Sequence, residues 1–209
     1  MKDVMVLNHP LIQHKLTLLR NKETEVKDFR EIVEELSILM AYEATRDIPL
    51  KDILIETPIA RTTGKIIAGP KIAIVAILRA GLGMVDGILR LLPSAEVGHI
   101  GIYRDPETFK PFSYYAKLPQ DIAKRDVIIA DPMLATGGTA VATIDYVRRF
   151  SRTNIKFICL VAAPEGIKMI RKHCKDITIY TATIDEGLNE HAYIVPGLGD
   201  AGDRLFGTK

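Results

Sequence analysis

Val127-Ile128-Ile129-Ala130-Asp131-Pro132-Met133-Leu134-Ala135-Thr136-Gly137-Gly138-Thr139 runs from apolar residues through one acid into a turn of small, hydroxyl and glycine residues. Residues 127–130 are β-branched or small, with no polar alternation, which suits a strand covered on both faces in a parallel sheet. From Thr139 the spacing turns helical, with Val141, Ile144 and Val147 on one face. Arg148 and Arg149 close that helix, where cations complement its dipole. In an open α/β sheet, ligands bind beyond the carboxyl ends of the strands, and a glycine loop feeding a helix offers unpaired N–H groups to an anion. Gly137 and Gly138 let the main chain wrap closely, while Thr136 and Thr139 add hydroxyl donors or cap the helix. Thr-Gly-Gly-Thr alone reads as an ordinary helix cap. Asp131 points further, because a carboxylate repels a phosphate unless it serves another part of the ligand, such as sugar hydroxyls or a metal ion. A sugar phosphate meets both demands.

The same unit occurs upstream. Ile72–Leu78 is a second buried run, ending at Arg79-Ala80-Gly81-Leu82-Gly83 and followed by a helical face of Met84, Val85, Ile88, Leu91 and Leu92. Arg79 reads either as a solvated loop charge or, at a strand end facing the ligand crevice, as the cationic partner of a pyrophosphate. Further runs at 97–103, 155–163 and 177–184 predict strands, with helical segments after those near 72, 127 and 155. The class is therefore α/β, a central parallel sheet flanked by helices. Residues 1–209 are expected to form a single domain.

Outside the sheet, Leu11–Arg20 is a mixed amphipathic stretch. Asp28–Thr45 carries a clear helical pattern in Phe29, Ile32, Val33, Leu36, Leu39 and Met40. Ile53–Ile59 alternates like a strand until Pro58, and Thr62-Thr63-Gly64 reads as a tight turn, so a peripheral strand or hairpin fits. Residues 104–119 mix prolines, charges and aromatics without one period, as a mobile hairpin lid would. Such a lid would exclude water from the ligand crevice. Arg104 stands at its base. Stacking of single-stranded nucleic acid on these aromatics is disfavoured, because the chain has no RNA-binding motif and little net charge.

Composition sets the outer limits. With 209 residues, a formal charge of +2 from 28 basic and 26 acidic side chains, and 47% hydrophobic residues, the chain gives no reason to expect nucleic-acid or membrane attraction. Its first residues show no secretory signal, which makes the cytoplasm the expected compartment. Cys159 and Cys174 lack metal or redox spacing and read as reduced packing residues. The five histidines show no metal-ligand or triad spacing.

The end of the chain, roughly 185–209, is unusual for a terminus. Tyr193-Ile194-Val195-Pro196-Gly197-Leu198-Gly199-Asp200-Ala201-Gly202-Asp203-Arg204 implies a fixed, tightly folded loop. It is either a structural glycine turn or a main-chain cradle for a small planar base.

Three motifs then converge. Residues 131–139 resemble the phosphoribosyl-pyrophosphate signature of the type I phosphoribosyltransferases. Ala130 stands where most of that superfamily has a second acid, and Asp-Pro-Met-Leu-Ala-Thr-Gly-Gly resembles the uracil phosphoribosyltransferase branch. Residues 194–203 resemble that branch's uracil-binding tail, and the Arg79 loop resembles its pyrophosphate loop.

The resemblance implies the type I phosphoribosyltransferase fold and transfer of a phosphoribosyl group to uracil. Residues 131–139 (Asp131, Pro132, Met133, Leu134, Ala135, Thr136, Gly137, Gly138, Thr139) would hold phosphoribosyl pyrophosphate, with Arg79 and Arg104 on its diphosphate. Ile194, Gly199, Asp200 and Ala201 would contact uracil. The resemblance also implies Mg2+, held mainly by the diphosphate without a direct protein ligand and near Asp200. Family members are dimers or larger, some activated by GTP. Asp131, Arg79 and Asp200 are the expected catalytic residues. The alternatives are a phosphoribosyltransferase for another base, or a phosphoribosyl-pyrophosphate-sensing regulator that binds nucleic acid.

Overall fold

The uninterrupted apolar runs become strands because side chains alternate between two covered faces. The computed structural model describes residues 4–104 and 111–208. In chain order it contains β1 (Val4–Val6), α1 (Pro10–Arg20), α2 (Val26–Ala44), β2 (Leu50–Glu56), β3 (Arg61–Ile67), β4 (Lys71–Leu78) and α3 (Leu82–Leu91). Then come β5 (Glu96–Arg104), β6 (Pro111–Lys117), β7 (Arg125–Ala130), β8 (Met133–Leu134), α4 (Gly138–Arg148), β9 (Ile155–Ala162) and α5 (Pro164–His173). The chain ends with β10 (Thr178–Ile184), β11 (Gly187–Leu188), β12 (Ile194–Val195) and α6 (Ala201–Phe206).

The main sheet has the order β1-β10-β9-β7-β4-β5-β6, with β8 beside β9. Pairings from β1 to β5 are parallel, and β6 joins β5 antiparallel. Ile74, Ile128 and Ile158 face a core built with α1, α2 and α3. Their neighbours Ala73 and Val75, Val127 and Ile129, and Phe157 and Cys159 face a second core with α4 and α5. Helices on both faces of a mostly parallel sheet are the expected α/β class.

The direction of winding reverses between β4 and β7. From β4 the chain steps to β5 on one side and later returns to β7 on the other. Brought side by side by the Ala76–Ala130 register, these two strands end at Arg79 and Asp131. A crevice at such a switch point is the preferred ligand site of open α/β sheets.

Three expectations need correction. Residues 131–139 are not one loop: Met133–Leu134 form β8, paired parallel with Val161–Ala162. The turn expected at Thr62-Thr63-Gly64 lies inside β3. The chain actually reverses over Thr57–Ala60, where the Thr57 N–H donates to the Ala60 carbonyl at 3.0 Å. Nor does a threonine cap α4. Gly137 occupies that position with φ 80° and no side-chain cap bond. Strand β1, an edge strand of 3 residues, was not anticipated. Of the expected lid, β5 and β6 form an antiparallel pair, while residues 105–110 and the Arg104 side chain lie outside the described residues.

Candidate active site

Two neighbouring cavities open at the switch point and share a wall. The first, about 260 Å³, lies between Asp131 and Met133 on one side and Ile194, Gly199, Asp200 and Ala201 on the other. The second, about 250 Å³, is bounded by Leu78, Arg79, Ala80, Asp131, Thr139 and Asp200. Asp131 and Asp200 therefore face both. All four residues expected at the base line the first cavity, while Arg79 and Thr139 line the second. Pro132 and Leu134 are buried and line neither. The Pro132 carbonyl instead accepts from the N–H groups of Leu160 and Val161, at 2.9 and 3.1 Å.

Close backbone packing creates this arrangement. A Cβ at Gly81 would lie 2.4 Å from the Ala130 carbonyl oxygen, so only glycine lets the Arg79 loop press against the end of β7. At Gly137 a left-handed φ and the Gly166 carbonyl, 2.8 Å from a notional Cβ, impose the same requirement. The first-turn N–H groups of α4 then face outward without intrahelical acceptors, as at any helix start. The Leu78–Arg79 peptide is cis.

The electrostatics are uneven. Among the described residues, the Asp131 carboxyl accepts one hydrogen bond, from the Met133 N–H of its own loop at 3.5 Å. Loss of water around its carboxyl pushes the pKa up to about 7, and the Met133 N–H only partly offsets that. Burial pushes the neighbouring Cys159 thiol up to about 12, leaving it an inert packing group as expected. Asp200 is tied down: its Oδ1 accepts from the Asp203 N–H at 2.9 Å and caps α6.

The C-terminal segment is pinned from both ends. Arg20 donates to both carboxylate oxygens of Asp185, at 2.5 and 2.8 Å, and to the Gly197 carbonyl at 2.8 Å. The Gly197 N–H returns a bond to Asp185 at 2.9 Å. Arg204 lies 4.3 Å above the Phe29 ring and donates to the carbonyls of Leu19, Asn21 and Leu198. The sequence alone assigns no role to Arg20 or Asp185, nor to Arg204 within the tail stretch. Asp203 lay within the quoted tail motif without a role, although an acid three residues after Asp200 on a short helix marks it.

Among the described residues, no group of three or more His, Cys, Asp or Glu side chains could hold a metal. Asp131 and Asp200 are hard oxygen donors on one cavity, a set that suits Mg2+ completed by substrate oxygens.

A family model described as uracil phosphoribosyltransferase matches residues 6–208. The chain belongs to the uracil phosphoribosyltransferase family. A uracil phosphoribosyltransferase of Clostridioides difficile strain 630 is 63% identical over 209 residues, covering 100% of both chains. The solved AQ2163 protein of Aquifex aeolicus superposes with a TM-score of 0.90 at 39% identity, over 97% of each chain. An adenine phosphoribosyl transferase from Trypanosoma brucei shares the fold, with a TM-score of 0.62 at 12% identity over 96% of this chain and 89% of that one. As a uracil phosphoribosyltransferase family member, the chain is a transferase enzyme. Its two cavities lie where residues 131–139, the Arg79 loop and the C-terminal segment meet.

Proposed function

We propose that the two cavities are the acceptor and donor halves of one site, which moves the 5-phosphoribosyl group of phosphoribosyl pyrophosphate to N1 of uracil, giving UMP and pyrophosphate. The observation that carries this reading is the shared wall: Asp131 and Asp200 face both cavities. The start of α4, with Thr136 to Thr139, receives the 5-phosphate on backbone N–H groups and hydroxyls. Asp131 accepts hydrogen bonds from the ribose hydroxyls. Arg79 neutralises the diphosphate from the second cavity, assisted by Arg104. Ile194, Gly199 and Ala201 hold the base by shape and main-chain contact.

The bond from the anomeric carbon to the diphosphate oxygen breaks with its electron pair leaving on pyrophosphate. Uracil N1 forms the new bond as its proton passes to the departing pyrophosphate or to water. Positive charge grows at the anomeric carbon between two acids, so positioning and electrostatics supply the catalysis. Bound Mg2+ would add charge neutralisation on the diphosphate beside Asp200. Asp200 also lines the cavity assigned to the base.

Residues 1–209 act as one domain in this reading, with the 185–209 tail as its hood, since Ile194, Leu198, Ala201 and Leu205 belong to the α1–α2 core. The reading also includes action in the cytoplasm as a homo-oligomer and activation by GTP. Leu54 and Ile59, 88% and 94% exposed on the β2–β3 hairpin, support self-association. Among the described residues, no helix is long and apolar enough to cross a membrane.

A pyrophosphate-release assay with uracil, a purine base and orotate side by side, with and without Mg2+ and GTP, tests the assignment. Uracil- and Mg2+-dependent release is expected. Equal release with another base would reassign the tail, and sequence-specific nucleic-acid binding without release would make the chain a regulator.

A further inference from the structure

Arg79 does not point into the donor cavity alone. Its Nη2 donates to Asp203 Oδ1 at 3.2 Å and its Nη1 to Thr208 Oγ1 at 3.2 Å. Thr208 Oγ1 in turn donates to Asp203 Oδ1 at 2.8 Å, so acid and hydroxyl form one joined acceptor. The N–H groups of Gly207 and Thr208 both donate to the Asp203 carbonyl, at 2.7 and 3.2 Å, and fold the chain end back over α6. Gly207 is left-handed there, with φ 65°.

Asp200 caps the same short helix and Ala201 opens it, both on the base-side cavity. Gly202 has no side chain to separate Arg79 from Asp200: a Cβ there would lie 3.2 Å from Asp200 Oδ1 and 3.6 Å from Arg79 Nη2.

Resting on the reading that Arg79 meets the diphosphate, we propose that Asp203 and Thr208 are positioning residues. They aim the Arg79 guanidinium across the donor cavity and tie diphosphate binding to the placement of the base-binding helix. A guanidinium has several N–H donors in a fixed plane, so two acceptors on one side orient the rest without consuming them. The side chains of Arg79 and Asp203 are 55% and 38% exposed. Such an exposed pair is weak, and its use lies in direction rather than in fold stability. Because α6 carries both the strut and the base contacts, a diphosphate that tightens the strut also steadies the base cradle, and the effect is reciprocal.

A double-mutant cycle on full-length protein tests this, with magnesium pyrophosphate binding measured by calorimetry. Asp203→Ala is expected to weaken binding about five-fold in the parent and by less than about two-fold in an Arg79→Ala background. Thr208→Val should behave in the same way, with Thr208→Ser restoring parental affinity. Equal losses in both backgrounds would make Asp203 a structural residue and overturn the strut. If Arg79→Ala itself leaves pyrophosphate binding unchanged, the Arg79 assignment fails and the strut falls with it. Uracil KM gives the second readout: Asp203→Ala is expected to raise it at saturating phosphoribosyl pyrophosphate, and an unchanged value would remove the link to the base.

Discussion

Asp131 carries the sharpest conflict between stability and chemistry. Its carboxyl, pushed up to about 7 by burial, is ionised at working pH only at a cost to the folded state. The native form binds the proton more tightly than the unfolded chain. The stability this contributes is therefore complete below about pH 4 and is lost as pH rises through about 7. Asp131→Asn is expected to raise the melting temperature of substrate-free protein at pH 8, with the gain fading towards pH 4. The roughly three-unit shift sets a ceiling of about 4 kcal/mol, which solvent in the open cavity reduces. The same substitution is expected to abolish most turnover, because an amide cannot match the carboxylate against ribose hydroxyls and developing positive charge. Thermal melts at two pH values with a steady-state assay check both halves. A variant with near-normal turnover would remove Asp131 from the mechanism.

Among the elements, the tail shows what sequence can and cannot convey. Its glycines and Pro196 mark a fixed loop by composition, and Ile194, Gly199, Asp200 and Ala201 do line one cavity. Strands β4, β7 and β9 are legible for a different reason: burial on both faces leaves an unbroken apolar run. Where that contrast is missing, reading fails. The β2–β3 hairpin is exposed almost throughout, so nothing in its pattern fixed the turn. Strand β8, with 2 residues, exists only because β9 is beside it.

The Arg20–Asp185 clamp joins residues 165 apart in sequence, and no local signal announces it. Its acid is buried, with 3% of the side chain exposed against 23% for the arginine. Arg20→Gln leaves that carboxylate with the Gly197 N–H and the more distant Thr183 hydroxyl, and is expected to cost about 3 kcal/mol. Because the clamp holds the Gly197 turn, its loss should raise KM for uracil more than KM for phosphoribosyl pyrophosphate. Equal changes in the two constants would detach the clamp from base binding.

Across the whole molecule, the switch point and the exposed hairpin divide the work. The first gathers Arg79 and Asp131 from strands adjacent in the sheet but distant in the chain. The second extends Leu54 and Ile59 into solvent on a two-stranded ribbon with little core of its own. A Leu54→Ser, Ile59→Ser double variant is expected to shift sedimentation equilibrium towards a smaller species, since each such side chain contributes roughly 1.5–3 kcal/mol when buried. Unchanged sedimentation would move self-association to another face.

The packing of the tail reaches into the protein's capacity to change. Ile194 and Ala201, which line the first cavity, are also core residues beside Leu198 and Leu205, packed with α1 and α2. Drift at the specificity surface is thus filtered first by folding, and only survivors are tested for a new base. Grafting a foreign tail onto this scaffold would require the matching faces of both helices to travel with it, so new nucleobase preference should arise by small steps around a preserved plug rather than by exchange of a loop.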